Sequence, residues 1–149
     1  MRSRTTGTGL RGALAAVTTV AMCGCGPSPI TSARIDKAIE PTFANLVRIQ
    51  LSRLGLPHTA ASDIKVTASC RKAVEGNGSG GAGDWVCTLV WHGPRRETLR
   101  DTYDLSVATD GCYTATVDGE KLGGPTLKAS DGSDVRNLLY AFEGCFDTT

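Results

Sequence analysis

Cys70, Cys87, Cys112 and Cys145 are spread over the last 80 residues of the chain at intervals of 17, 25 and 33. In an oxidising compartment an even set at such spacing forms two disulfides. Any fold open to this chain must then bring four distant points together in pairs. Metal binding is the rival use of cysteine. Structural metal sites need closely spaced cysteine or histidine ligands. These cysteines are isolated and the chain has two histidines, so the reading is disulfides, with no metal and no cofactor.

The N-terminus supplies the oxidising compartment. Residues 1–12 hold Arg2, Arg4 and Arg11 and no acid, and residues 13–22 (ALAAVTTVAM) form an apolar run. A positive stretch, an apolar stretch of about 7–15 residues and a small-residue cleavage point define a secretory signal. The run falls short of the roughly 20 residues that cross a bilayer core. Met22-Cys23-Gly24-Cys25 reads as a lipobox, with the small Gly24 before the cut and Cys25 as the acylated first residue of the mature chain. Met22 and Cys23 depart from the usual Leu and Ala or Ser. Two acyl chains on Cys25 are enough for stable anchoring. Gly26-Pro27-Ser28-Pro29 cannot begin a helix and suits a tether. Residues 1–24 are thus expected to be a lipoprotein signal peptide, 25–32 a flexible tether, and 33–149 one domain on the outer face of the cell membrane. Plain secretion, with Cys23 and Cys25 paired or free, is the alternative.

Charge narrows the partners. Without the three leader arginines the chain keeps 13 basic against 15 acidic residues. That balance offers no footprint for nucleic acid and no polybasic hold on a lipid surface.

Periodicity predicts the fold. Ile35, Ile39, Phe43, Leu46, Val47, Gln50 and Leu54 recur at helical steps over residues 32–54, with Pro41 either starting a helix or kinking a longer one. Gly55 and Pro57 end it. Four alternating runs follow. They begin at Ile64, Trp85, Leu99 and Tyr113, separated by the Gly-rich residues 75–83, the turn at 93–96 and the hairpin signal Thr109-Asp110-Gly111. Residues 119–132 read as a Gly-rich stretch, and 135–146 as a short edge strand. The predicted class is α+β: one long N-terminal helix packed on a four- to five-stranded antiparallel sheet, stapled by two disulfides. Cys70 and Cys87 fall on successive strands. Cys112 begins the fourth and Cys145 ends the last, so the pairing favoured is Cys70–Cys87 and Cys112–Cys145.

Several segments resemble a pattern in small, uncharacterised actinobacterial lipoproteins. They are Ser69-Cys70-Arg71, Asp84-Trp85-Val86-Cys87 with Trp91-His92, Tyr103-Asp104-Leu105, Asp110-Gly111-Cys112-Tyr113-Thr114-Ala115, and the tail at 139–147. The resemblance covers most of the mature chain and implies a surface lipoprotein of a high-GC bacterium. It implies no activity.

No candidate chemistry converges in the sequence. His92 lacks a neighbouring nucleophile and orienting carboxylate and reads as an exposed strand-end residue, and His58 as a loop residue. Arg95, Arg96 and Arg100 read as a solvated turn, with an anionic envelope polymer as the functional alternative. Asp101 and Asp104 do not share a strand face, and residues 76–83 lack the Lys-Ser/Thr of a phosphate loop. Trp85, Trp91 and Tyr113 are the candidate walls of a ligand pocket, against the plainer reading of core packing. The functional expectation is a monomeric, non-catalytic module that binds a protein or another envelope component. The alternative is a small-ligand binder with a pocket between helix and sheet.

Overall fold

Ile35, Ile39, Phe43, Val47 and Leu51 stand four residues apart and form one buried stripe of α1 (Ser32–Arg53). The computed structural model describes residues 29–74, 80–119 and 121–148. The expected signal peptide, the expected lipobox with Cys25 and the middle of the Gly-rich loop lie outside them. Pro41 sits inside α1, exposed on its outer side, so the helix runs through it rather than starting there. Thr42 Oγ1 donates to Ala38 O at 3.2 Å in the turn that the proline ring disturbs. The helix ends in two reciprocal bonds, Leu56 N–H to Leu51 O and Gly55 N–H to Ser52 O, with Gly55 at φ 73°.

A five-stranded antiparallel sheet follows, in the order β1 (Thr67–Lys72), β2 (Gly83–His92), β3 (Thr98–Val107), β4 (Cys112–Val117) and β7 (Ala141–Cys145). The class is therefore α+β with two disulfides, Cys70–Cys87 and Cys112–Cys145. Alternation puts Trp85, Cys87, Leu89, Trp91, Tyr103, Leu105, Val107, Tyr113, Ala115 and Val117 on one buried face. Phe43 reaches that face, with ring centroids 5.0 Å from Trp91, 5.6 Å from Tyr103 and 5.8 Å from Phe142. The other face carries Ser106, Thr114, Thr116, Asp104 and Glu143, all exposed to solvent.

The structure departs from the periodic reading at four places. Ile64 belongs to a helical turn, α2 (Ala61–Ile64), and Lys65 at φ 48° reverses the chain, so β1 starts at Thr67. Residues 119–132 are not all loop: β5 (Thr126–Lys128) pairs with β6 (Asp134–Arg136) in a separate two-stranded hairpin. The expected strand over 135–146 is broken by Asn137. This residue is buried, and its amide donates to Leu122 O and Gly124 O and accepts from Leu139 N–H. Ile30 and Thr31, inside the 25–32 segment expected as a tether, are held against the fold. Ile30 is buried and accepts from Gly81 N–H at 2.8 Å, and Thr31 forms a bridge with Gly80. Gly80 is required there, since a Cβ would come within 2.6 Å of Ile30 O.

Candidate functional site

Ile30, the first buried residue among those described, lies beside the start of β2. The ten residues of β2 run about 30 Å from there to His92 at the opposite pole. A pocket of about 500 Å³ opens there, lined by His58, Thr59, Asp63, Lys65, His92 and Arg96, with Gly93 and Pro94. Three local devices build it. The Gly55 stop of α1 directs the chain through Pro57 to His58. The α2 turn presents Asp63, and its left-handed cap is Lys65. The β2–β3 turn, closed by Arg96 N–H to Gly93 O at 2.9 Å, holds Arg96 at φ 63°. Lys65 and Arg96 are the two non-glycine residues at positive φ among the described residues. A left-handed residue with a Cβ costs of order 1–3 kcal/mol, and such strain gathers at functional sites. Lys65 and Arg96 bring two positive charges to the pocket, Asp63 brings a carboxylate, the Glu97 carboxylate lies against Gly93 of the wall, and the imidazoles add hydrogen-bonding groups. Thr59, the one hydroxyl of the lining, donates weakly to Pro57 O at 3.5 Å.

The predicted aromatic walls lie elsewhere. Trp85, Trp91 and Tyr113 are 1%, 2% and 3% exposed, so none presents a face for a sugar to stack on. Trp85 Nε1 donates to Gly81 O at 3.2 Å, and the Lys72 ammonium sits 4.9 Å from its ring centre. Tyr113 lies over Gly144 of the neighbouring strand; a Cβ there would come within 2.5 Å of its hydroxyl oxygen. Burial pushes the Tyr113 phenol up from its ordinary range, opposed by Thr42. It pushes Tyr103 further, with Asp101 adding to the rise, and Tyr103 OH donates to Leu139 O at 2.8 Å. Trp91 borders a separate cavity of about 140 Å³ under the β5–β6 hairpin.

The edges of the sheet differ in what they offer. Along β1, the outward N–H groups of Ala68 and Cys70 donate to Glu40 Oε1 at 3.0 Å and Asp36 Oδ1 at 2.7 Å. Burial raises the Asp36 carboxyl above its ordinary range, against the pull of the Cys70 N–H, and Glu40 adds to the rise. Along β7, the register with β4 turns the N–H and C=O groups of Ala141, Glu143 and Cys145 outward. Beside them a groove of about 570 Å³ on the open face is lined by Ser106, Ala108, Cys112, Thr114, Glu143 and Cys145.

Sequence reasoning took His58 and His92 separately, and Arg96 with its neighbours as a solvated turn. Only Arg96 of that basic trio lines the pocket, while Lys65 and Asp63 were not singled out. The positive φ at two charged residues was the deciding feature, and composition carries no signal of it. Among the described residues no set of side chains is grouped to hold a metal ion, and no helix is long and apolar enough to cross a membrane. Comparison with protein-family models, curated proteins and solved structures finds no match to the chain.

Proposed function

We propose that the chain is an extracytoplasmic lipoprotein anchored through Cys25, whose domain binds an envelope component without catalysis. The observation that carries this reading is the pocket that presents Lys65 and Arg96, both held at positive φ, at the pole remote from Ile30. Cys25 precedes Ile30 by five residues, a reach of at most about 18 Å. A lipid on Cys25 therefore holds the Ile30 pole near the membrane and turns the pocket outward. The pocket favours an anionic polymer of the envelope, because Lys65 and Arg96 recognise phosphate or carboxylate. The resemblance to small actinobacterial lipoproteins supports the anchor and adds nothing about the ligand.

The test has two arms. Intact mass of the native protein should show a diacylglyceryl addition at Cys25, and Cys25→Ser should leave the membrane fraction; an unmodified Cys25 ends the anchoring claim. The chain should cosediment with cell-wall sacculi carrying their anionic polymers. The double variant Lys65→Glu/Arg96→Glu should lose at least tenfold in binding. Sedimentation unchanged by that charge reversal would refute the polymer reading. A protein partner is the second reading, favoured by the open β7 edge, which suits addition of an extended strand. It predicts that a proline at Ala141 or Glu143 abolishes capture while the pocket variants keep it.

A further inference from the structure

Gln50 is the only glutamine of the chain and is 2% exposed on the inner side of α1. Its Oε1 accepts from Leu138 N–H at 2.7 Å, which fixes the orientation of the amide. The Nε2 group therefore points the other way, and it has no hydrogen-bond partner among the described residues. Gln50 also lines the cavity of about 140 Å³ between the end of α1 and the β5–β6 hairpin. The remaining walls are chiefly apolar: Leu51, Leu54, Trp91, Leu99, Leu122 and Leu127. Asn137, the other amide of the lining, spends both its donors and its acceptor on the backbone of its own loop.

The size and chemistry define an occupant. An engineered apolar cavity of about 150 Å³ stays dry and takes up a benzene-sized molecule. Among the described residues the Gln50 donor is left unpaired, and a buried donor calls for an acceptor, which a guest in this cavity can supply. Among the described residues no charged side chain lines the cavity, so an ionic guest would be desolvated without compensation. We infer that this cavity is a binding site for a small neutral molecule, about one six-membered ring in size, that carries one hydrogen-bond acceptor oxygen for Gln50 Nε2. Leu122 and Leu127 are only half-buried and form its outer rim. The site is separate from the walls expected at Trp85 and Tyr113, and its occupancy does not depend on the anchor.

A single glutamine makes the test direct. Labelling the full chain with glutamine carrying ¹⁵N in its side-chain amide gives one NH₂ pair in the NMR spectrum. Titration with cyclohexanone should move that pair saturably. Cyclohexane, the same ring without the oxygen, should bind about tenfold more weakly, the size of one hydrogen bond to a buried donor. Leu127→Phe should fill the space and abolish the shift while both disulfides and the circular dichroism spectrum stay unchanged. If that variant fails to fold, Leu54→Phe fills the same space from the helix side. An NH₂ pair that stays fixed up to the solubility limit of cyclohexanone overturns the inference. So does equal binding of the two rings, or a shift that survives in a folded, cavity-filled variant.

Discussion

β1 and β7 close the sheet at its two edges, and each is bridged to its neighbour between directly opposed residues, with Cα atoms 4.0 and 3.9 Å apart. The surroundings then diverge. Cys70–Cys87 lies on the helix side, 8% and 0% exposed, and the edge outside it is sealed by Asp36 and Glu40. Cys112–Cys145 lies on the solvent side, beside a groove, and its edge is bare of partners among the described residues. An unpaired edge is a template for another chain, and proteins blunt it with charge or cover. Here one edge is covered by carboxylates and the other is left with Glu143 alone. The same staple is structural on one side and stands at a surface open to partners on the other.

The largest test sets loop entropy against burial. Closing loops of 17 and 33 residues is worth about 3 and about 3.7 kcal/mol in the chain-entropy model, which ranks the outer bridge higher. Removing the inner bridge also empties space in a packed core, at a further 1–2 kcal/mol or so. We expect Cys70→Ala/Cys87→Ala to lose about 4–5 kcal/mol and Cys112→Ala/Cys145→Ala about 3.7 in urea unfolding. The reverse order would mean that the inner sulfurs add nothing to packing. Under native conditions, mild reductant followed by alkylation and mass analysis should label Cys112 and Cys145 first, because exposure governs attack on a disulfide.

Next in size is Gly144→Ala. The added methyl meets the Tyr113 ring and hydroxyl at the bare edge, at a cost of about 1–3 kcal/mol by overpacking. An unchanged melting temperature would show that β7 is held too loosely for its register to matter.

Asp36 probes the sealed edge. Asp36→Ala leaves the Cys70 N–H unpaired and should cost about 1–2 kcal/mol. Asp36→Asn keeps an acceptor and should cost little at neutral pH. The folded carboxyl is raised above 3.8, chiefly by burial, so the folded state holds more protons than the unfolded state between 3.8 and that raised value. Its contribution to stability therefore grows as pH falls through that window and is lost as pH rises past it. Asp36→Asn should flatten this part of the pH profile, measured by urea midpoints from neutral to mildly acid pH.

The smallest effect on stability belongs to Glu143→Val, within about 0.5 kcal/mol for an exposed position. Its effect on association should be clear, because removing the one charge of β7 invites edge pairing between copies. Sedimentation velocity should show a concentration-dependent dimer; a strictly monomeric variant would mean the edge is protected by something other than Glu143.

Where side chains alternate in and out, the sheet was legible. The runs through Trp85, Leu99 and Tyr113 appear in the register they imply, and the cysteine pairs follow from strands that lie side by side. The helix was legible from its apolar repeat, apart from the tolerance of Pro41, which depends on its exposed position. What could not be read rests on backbone conformations and contacts remote in sequence. Lys65 and Arg96 adopt left-handed geometry without glycine, and Asn137 and Gln50 are polar residues whose burial depends on partners elsewhere in the chain. Gln50, for instance, joins Leu138 across 88 residues. The candidate walls were the hardest to sort, because Trp85, Trp91 and Tyr113 carry a pattern that serves a core and a pocket wall equally well; all three are buried, and Trp91 also lines the cavity beside Gln50.

The two cysteine pairs occupy opposite faces of one sheet, and this bears on how the chain oxidises. Cys87 and Cys112 are neighbours in sequence, and a chain meeting an oxidant before it folds can join them by mistake. With β2, β3 and β4 in register, those two side chains point to opposite sides of the sheet, so the wrong bond and the sheet exclude each other. A mispaired molecule stays open, its sulfurs accessible to exchange, until it reshuffles. The alternation of the strands thus proofreads the disulfides, and the native pairing is selected because it alone lets the sheet close.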